Sequence, residues 1–179
     1  MRDTTVARNY AQALFLAGER AADVPGYGTA LAAVAGAIEA DERVRLTLES
    51  PQVPKAVKVA VMRRALAGRA PEAFVRFIAA VVQRSRQGLI PGISHEYQNL
   101  LDVKLNRVHA GITLSRTPDR KLQEEIRRRL AELLGKEVVP HFREDPSIIG
   151  GMLVRVGDRV MDGSVRRQLA VLRRQMLGG

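Results

Sequence analysis

The chain has 179 residues, 46% of them hydrophobic, which is enough for a packed core in one ordinary domain or two small ones. It contains no cysteine, which excludes a disulfide framework, a thiolate metal site and a cysteine nucleophile together. With 29 Lys+Arg against 19 Asp+Glu the net charge is +10, and no run of 18 apolar residues is available to span a membrane.

The first 105 residues carry a helical period throughout. Thr4 or Thr5 caps a first predicted helix in which Val6, Tyr10, Ala13, Leu14 and Ala17 share a face and Gly18 ends the pattern. Pro25 opens a second, with Tyr27, Leu31, Val34 and Ile38 at helical spacing. A short segment around Val44 to Leu48 stops at Ser50-Pro51. Pro54 takes a first-turn position ahead of Val57, Val61 and Ala65. Pro71-Glu72 opens a helix with Phe74, Phe77, Ile78, Val81 and Val82, closed by Gly88 and Pro91. Ile93, Tyr97, Leu100, Leu101 and Leu105 make the sixth. Six short amphipathic helices in this length predict a compact bundle.

The period changes near Asn106, where a domain boundary is expected. Val108, Ala110, Ile112 and Leu114 alternate as in a strand. Thr117-Pro118 starts a helix with Leu122, Ile126, Leu130 and Leu133 on one stripe. Glu137 to Arg143 is a further strand that Pro140 confines to a sheet edge or cuts short. Ile148 to Val156 and Arg159 to Met161 flank Gly157-Asp158, a pair suited to a hairpin turn. Asp162, Gly163 or Ser164 caps a last helix with Val165, Leu169, Leu172 and Met176 facing inward. The expected fold is therefore mainly α: a six-helix bundle over residues 1–105, then a small α+β domain over residues 106–179.

No catalyst is nominated by spacing. His95, His109 and His141 lie in no HExxH arrangement, and neither GxSxG nor GxxxxGK[ST] is present. Gly150-Gly151 suits a bulge or a close backbone approach, and Asp145, Asp158 and Asp162 suit turns and caps. No metal site or cofactor is expected. The positive charge sits in Arg127-Arg128-Arg129, Arg166-Arg167 and Arg173-Arg174, the first directly after Glu124-Glu125, which fits a solvated helix face. Aromatic residues are only 4% and Trp is absent, so there is little for nucleobases to stack on.

Two segments together resemble one family. Val6-Ala7-Arg8-Asn9-Tyr10-Ala11-Gln12-Ala13-Leu14-Phe15 is similar to the opening helix of the delta subunit of F-type ATP synthase, homologous to the mitochondrial OSCP. Asp145-Pro146-Ser147-Ile148-Ile149-Gly150-Gly151, then Gly157-Asp158-Arg159-Val160-Met161-Asp162-Gly163-Ser164-Val165, then Leu169, resembles its C-terminal signature at the same spacing. Length and element order fit as well, so the resemblance covers the whole chain. Asn9 falls at a variable position, and Pro140 departs from the family's strand.

The resemblance implies a stator, a peripheral-stalk subunit that transmits torque and has no chemistry of its own. The N-terminal domain would grip the N-terminal helix of an alpha subunit between its first and fifth helices, here the Thr5–Ala17 and Pro71–Arg86 segments. That places Tyr10, Ala13 and Leu14 opposite Phe77, Ala80 and Val81, although the same residues also suit a bundle core. The C-terminal domain would hold the end of the b-subunit stalk, with Gly150, Gly151, Gly157, Asp158 and Asp162 serving mainly backbone geometry. The expected location is peripheral, on the cytoplasmic face of a bacterial plasma membrane, with membrane association only through the complex and no nucleic acid. The +10 charge leaves a basic RNA- or ribosome-associated protein as the alternative; a small enzyme would need a pocket of converging titratable groups.

Overall fold

A computed structural model describes residues 2–167 and 169 of the chain, which divides into two compact units after Leu101. The first unit is helical: α1 (Arg2–Arg20), α2 (Val24–Ala40), α3 (Glu42–Glu49), α4 (Lys55–Leu66), α5 (Glu72–Gln83) and α6 (Ile90–Lys104), whose last turn passes into the second unit. Local chemistry places the starts. The Asp23 carboxylate accepts from the Gly26 N–H with Pro25 in the first turn of α2, and Asp41 accepts from the Arg43 N–H at the start of α3. Tyr27, Leu31, Val34 and Ile38 are all buried, as their spacing predicts, against Phe74, Ile78, Val81 and Val82 of α5 and Ile93, Tyr97 and Leu101 of α6.

Three expectations for this unit need correction. Helix α1 begins at Arg2 and runs past Gly18, so Thr4 and Thr5 lie in its first turn and the glycine does not end it. Gly18 is buried, and a Cβ there would sit 3.1 Å from the Tyr97 hydroxyl and 3.2 Å from the Val24 Cα; its role is close packing. The buried stripe of α1 is correspondingly Ala7, Ala11, Leu14 and Gly18, which rotates Val6, Tyr10 and Ala17 to half-buried flanks and leaves Ala13 exposed.

The second concerns α4, which turns Lys58, Val59 and Met62 inward and leaves Val57, Val61 and Ala65 exposed. The lysine explains the rotation. Its stem lies in the core while its ammonium donates to the carbonyl of Ser50, the residue that caps α3, at 2.7 Å. The third is the end of α5, which stops at Gln83. Gly88 belongs to a 3-10 turn, Gln87–Leu89, and Pro91 is the second residue of α6, where its missing N–H costs nothing.

The second unit is α+β. Strands β1 (Arg107–Leu114), β2 (Glu137–Glu144), β3 (Met152–Val156) and β4 (Arg159–Asp162) form one sheet in the order β2-β1-β3-β4, with α7 (Arg120–Leu134) between the first two. β1 and β2 are parallel, which requires the α7 crossover; the other pairings are antiparallel. Pro140 lies within β2 opposite Ala110, and β2 is an edge strand, where the absent N–H is tolerated. Ala110, Ile112, Leu114, Val138 and Val154 cluster with Ile126 and Leu130 of α7.

Here too the boundaries shift. Asp119, not Thr117-Pro118, caps α7 by accepting from the Leu122 N–H, and Gly135 closes it at φ 63°. Leu122 and Leu133 are exposed, because the inward stripe runs Ile126, Leu130 and, less deeply, Leu134. β3 begins at Met152 rather than Ile148: the Asp145 side chain caps a 3-10 turn, Pro146–Ile148, so Gly150 and Gly151 precede the strand. Residues 165–167 and 169 are helical, but Val165 and Leu169 are exposed rather than inward; Leu172 and Met176 lie outside the described residues.

Candidate functional site

The six residues assigned to a helix-binding groove separate by burial. Leu14 and Val81 have no accessible surface and belong to the core, whereas Tyr10, Phe77 and Ala80 are half-buried and Ala13 is exposed. Tyr10 meets the edge of Phe77 at a ring-centroid distance of 6.1 Å, joining α1 to α5. The surface of this face is therefore Tyr10, Ala13, Phe77 and Ala80, with Leu14 and Val81 beneath it. The small stripe of α1 is the cause. Ala7, Ala11, Leu14 and Gly18 fill the core side, so Tyr10 remains on the flank.

Two residues at this face carry no sequence signal. Nη1 of Arg84 donates a long hydrogen bond, 3.4 Å, to the Tyr10 hydroxyl, and the Arg86 guanidinium lies 5.6 Å from the ring centroid. Both follow the end of α5, more than 70 positions from Tyr10, and only the packing of α1 on α5 brings them there.

A second apolar groove, about 230 Å³, lies between α3 and α4, where Val44, Val53, Val57 and Val61 form much of the wall and Arg43 adds a cation. The exposed face of α4, with Val57 and Val61, lines it.

The C-terminal signature residues shape the backbone at two places, the approach of Gly151 to Gly163 and the turn between β3 and β4. Gly151 adopts φ 81°, and a Cβ there would strike the carbonyl oxygen of Gly163 and sit 3.1 Å from the Ser164 Cα. Gly150 lies beside it, its carbonyl accepting from the Val165 N–H at 3.0 Å. Gly157 takes φ 56° at the first position of the two-residue turn joining β3 to β4, and Asp158 is the second. Asp162 accepts from the Ser164 N–H, and Asp145 makes the same bond to the Ser147 N–H, each at 2.9 Å. These serine contacts, side chain and backbone, hold both carboxyls below the usual aspartate range. Arg166 and Arg167 line a cavity of about 390 Å³ with both aspartates.

A polar chain forms where β1 meets β2. His109 and His141 stack with ring nitrogens 2.8 Å apart, and the other nitrogen of His109 lies 2.9 Å from Asp102, which also receives Arg107 at 2.8 Å. Parallel pairing places His141 opposite Gly111, one pleat from His109, so residues 32 apart meet. The arginine run on α7 has a plainer arrangement: Arg127 pairs with Glu124 and Arg129 with Glu125, each at 2.8 Å on the same helix. Arg173 and Arg174 lie outside the described residues. No helix among the described residues is long and apolar enough to cross a membrane.

The comparisons with known proteins agree with one another. Residues 6–176 match the family model described as ATP synthase delta (OSCP) subunit. The chain is 46% identical over 174 residues to the ATP synthase subunit delta of Gemmatimonas aurantiaca, covering 97% of this chain and 94% of that one. It is 32% identical over 172 residues to that of Desulforamulus reducens, covering 96% and 95%. A chain of the Toxoplasma gondii mitochondrial ATP synthase hexamer, solved by cryo-electron microscopy, shares the fold with a TM-score of 0.67 at 20% identity, covering 96% and 97%. These relatives lend no support to the reading as an RNA- or ribosome-associated protein.

Proposed function

The chain belongs to the ATP synthase delta (OSCP) family and is a peripheral-stalk subunit of that enzyme, and from this premise we propose how its two units divide the work. Residues 1–105 hold the N-terminal helix of an alpha subunit on the α1/α5 face, and residues 106–179 hold the C-terminal end of the b-subunit stalk. The chain then ties the catalytic head to the membrane sector, on the cytoplasmic face of a bacterial plasma membrane, and touches the membrane only through the complex. It carries load rather than a reaction, needs no cofactor and binds no nucleic acid. The observation behind the head contact is the half-buried apolar strip of Tyr10, Phe77 and Ala80 beside exposed Ala13. It suits an amphipathic helix docking by residues spaced i, i+3/i+4 and i+7.

A stator is dispensable for ATP hydrolysis by the released head and indispensable for coupling. If the head turns with the rotor, ion flow does no work on the nucleotide sites. Membranes stripped of this protein should release the head with its hydrolysis intact and lose ATP-driven proton pumping; adding back the full chain should restore pumping. Proton uptake followed by dye quenching, alongside phosphate release from the soluble head, tests both. Pumping that survives without the chain, or hydrolysis that disappears with it, overturns the assignment.

A further inference from the structure

The end of α5 is built to present two cations. Ser85 takes φ 56°, a left-handed conformation unusual for serine, and the turn closes with the Ser85 N–H donating to Val82 and the Arg86 N–H to Val81. A third N–H, that of Arg84, donates to Ala80. The carbonyls of Ala80, Val81 and Val82 are thus served by backbone N–H groups rather than by the two guanidiniums. Each turns instead to Tyr10: Arg84 to the hydroxyl, Arg86 to the ring. Both arginines are exposed, and neither is ion-paired with a carboxylate among the described residues. Arg8 on α1 differs in that it is paired with Glu96 at 3.2 Å.

We infer that Arg84 and Arg86, gathered around Tyr10, form a carboxylate-reading end of the α1/α5 face, so that the helix docking there carries an Asp or Glu at that end. This rests on the head-contact reading above and adds the charge chemistry of the partner. Tyrosine supplies the apolar floor, and its two cationic neighbours offer N–H groups in the planar geometry that suits a carboxylate. Two like charges held around one ring lose mutual repulsion when an anion bridges them. Complementary charge also sets which way round an otherwise apolar helix lies and how fast it associates.

The test uses the full chain and a synthetic peptide of the first twenty or so residues of the alpha subunit from the same organism, titrated calorimetrically. Arg84→Gln and Arg86→Gln should each weaken the native peptide about tenfold at low salt, and the loss should shrink at high salt. Replacing the responsible acidic residue of the peptide by its amide should weaken wild type equally, and should cost nothing further in the arginine variants. Circular dichroism shows that the variants are folded. Native binding that is indifferent to both arginines and to salt overturns this inference while leaving the groove intact, as does a binding peptide without a carboxylate. Failure of the native peptide to bind the wild-type chain overturns the groove itself, and this inference with it.

Discussion

The Lys58 ammonium donates to the Ser50 carbonyl at 2.7 Å, and this bond links the rotation of α4 to the end of α3. Lys58→Met should keep the buried stem and lose the charge-assisted bond, lowering stability by about 1–2 kcal/mol. Val57→Ser and Val61→Ser, on the exposed face, should each change it by roughly 0.5 kcal/mol or less. Urea denaturation of the three variants gives the order. A larger loss from the valines than from the lysine would mean that α4 packs the way its sequence pattern suggested.

Two glycines that both take positive φ should respond differently. Gly157→Ala places a Cβ in open space and should cost about 1–2 kcal/mol, the left-handed penalty alone. Gly151→Ala adds a collision with the Gly163 carbonyl, held in place because the Gly163 N–H donates to Met152 at 2.9 Å. It should cost at least 2 kcal/mol more. Thermal melts of the full chain check this; equal losses would remove the close approach as the reason for Gly151.

Tyr97 is fully buried, and its hydroxyl donates to the Val24 carbonyl at 2.8 Å. Burial, with a smaller contribution from Asp23, pushes its ionisation far above the ordinary 10.0. A raised acid favours the neutral folded form, so this stabilisation is complete below pH 10 and is lost as pH rises beyond it. Tyr97→Phe should cost about 1 kcal/mol at neutral pH. In an alkaline titration followed by phenolate absorbance, it should remove the late step that coincides with unfolding.

Asp145 and Asp162 act at the other end of the pH scale. Their carboxyls lie below 3.8 in the folded chain, so their contribution is complete well above that value and is lost below it, as pH falls through the lowered folded values. Asp162→Asn should flatten the acid side of the stability profile while leaving the alkaline side unchanged. Melting temperatures from pH 6 down to pH 3 decide it, and an unaltered acid limb would count against the serine contacts.

At the proposed head contact, Tyr10→Phe keeps the ring against Phe77 and loses only the long bond from Arg84, so binding of the catalytic head should fall threefold or less, about 0.5 kcal/mol. Tyr10→Asp removes the apolar floor, on the order of 2 kcal/mol of burial, and occupies both guanidiniums. A folded Tyr10→Asp chain that binds the head like wild type places the contact elsewhere.

Much of this protein was settled by local chemistry that a sequence displays. Tyr27, Leu31, Val34 and Ile38 are buried at their helical spacing, Ala110, Ile112 and Leu114 alternate into the sheet core, and the Gly157-Asp158 pair makes the hairpin. Period and turn chemistry act within a few residues, so they are legible one segment at a time. Which face of a helix turns inward is not legible in that way when two stripes compete. In α1 the close approach of Tyr97 and Val24 selected the stripe of alanine and glycine over the one bearing Tyr10. In α4 a lysine reaching a carbonyl eight residues back outweighed two valines. The Arg84–Tyr10–Arg86 cluster and the His109–His141 pair lie further still from sequence reasoning. Each joins residues from separate elements, and no local pattern encodes a contact that exists only after those elements have packed.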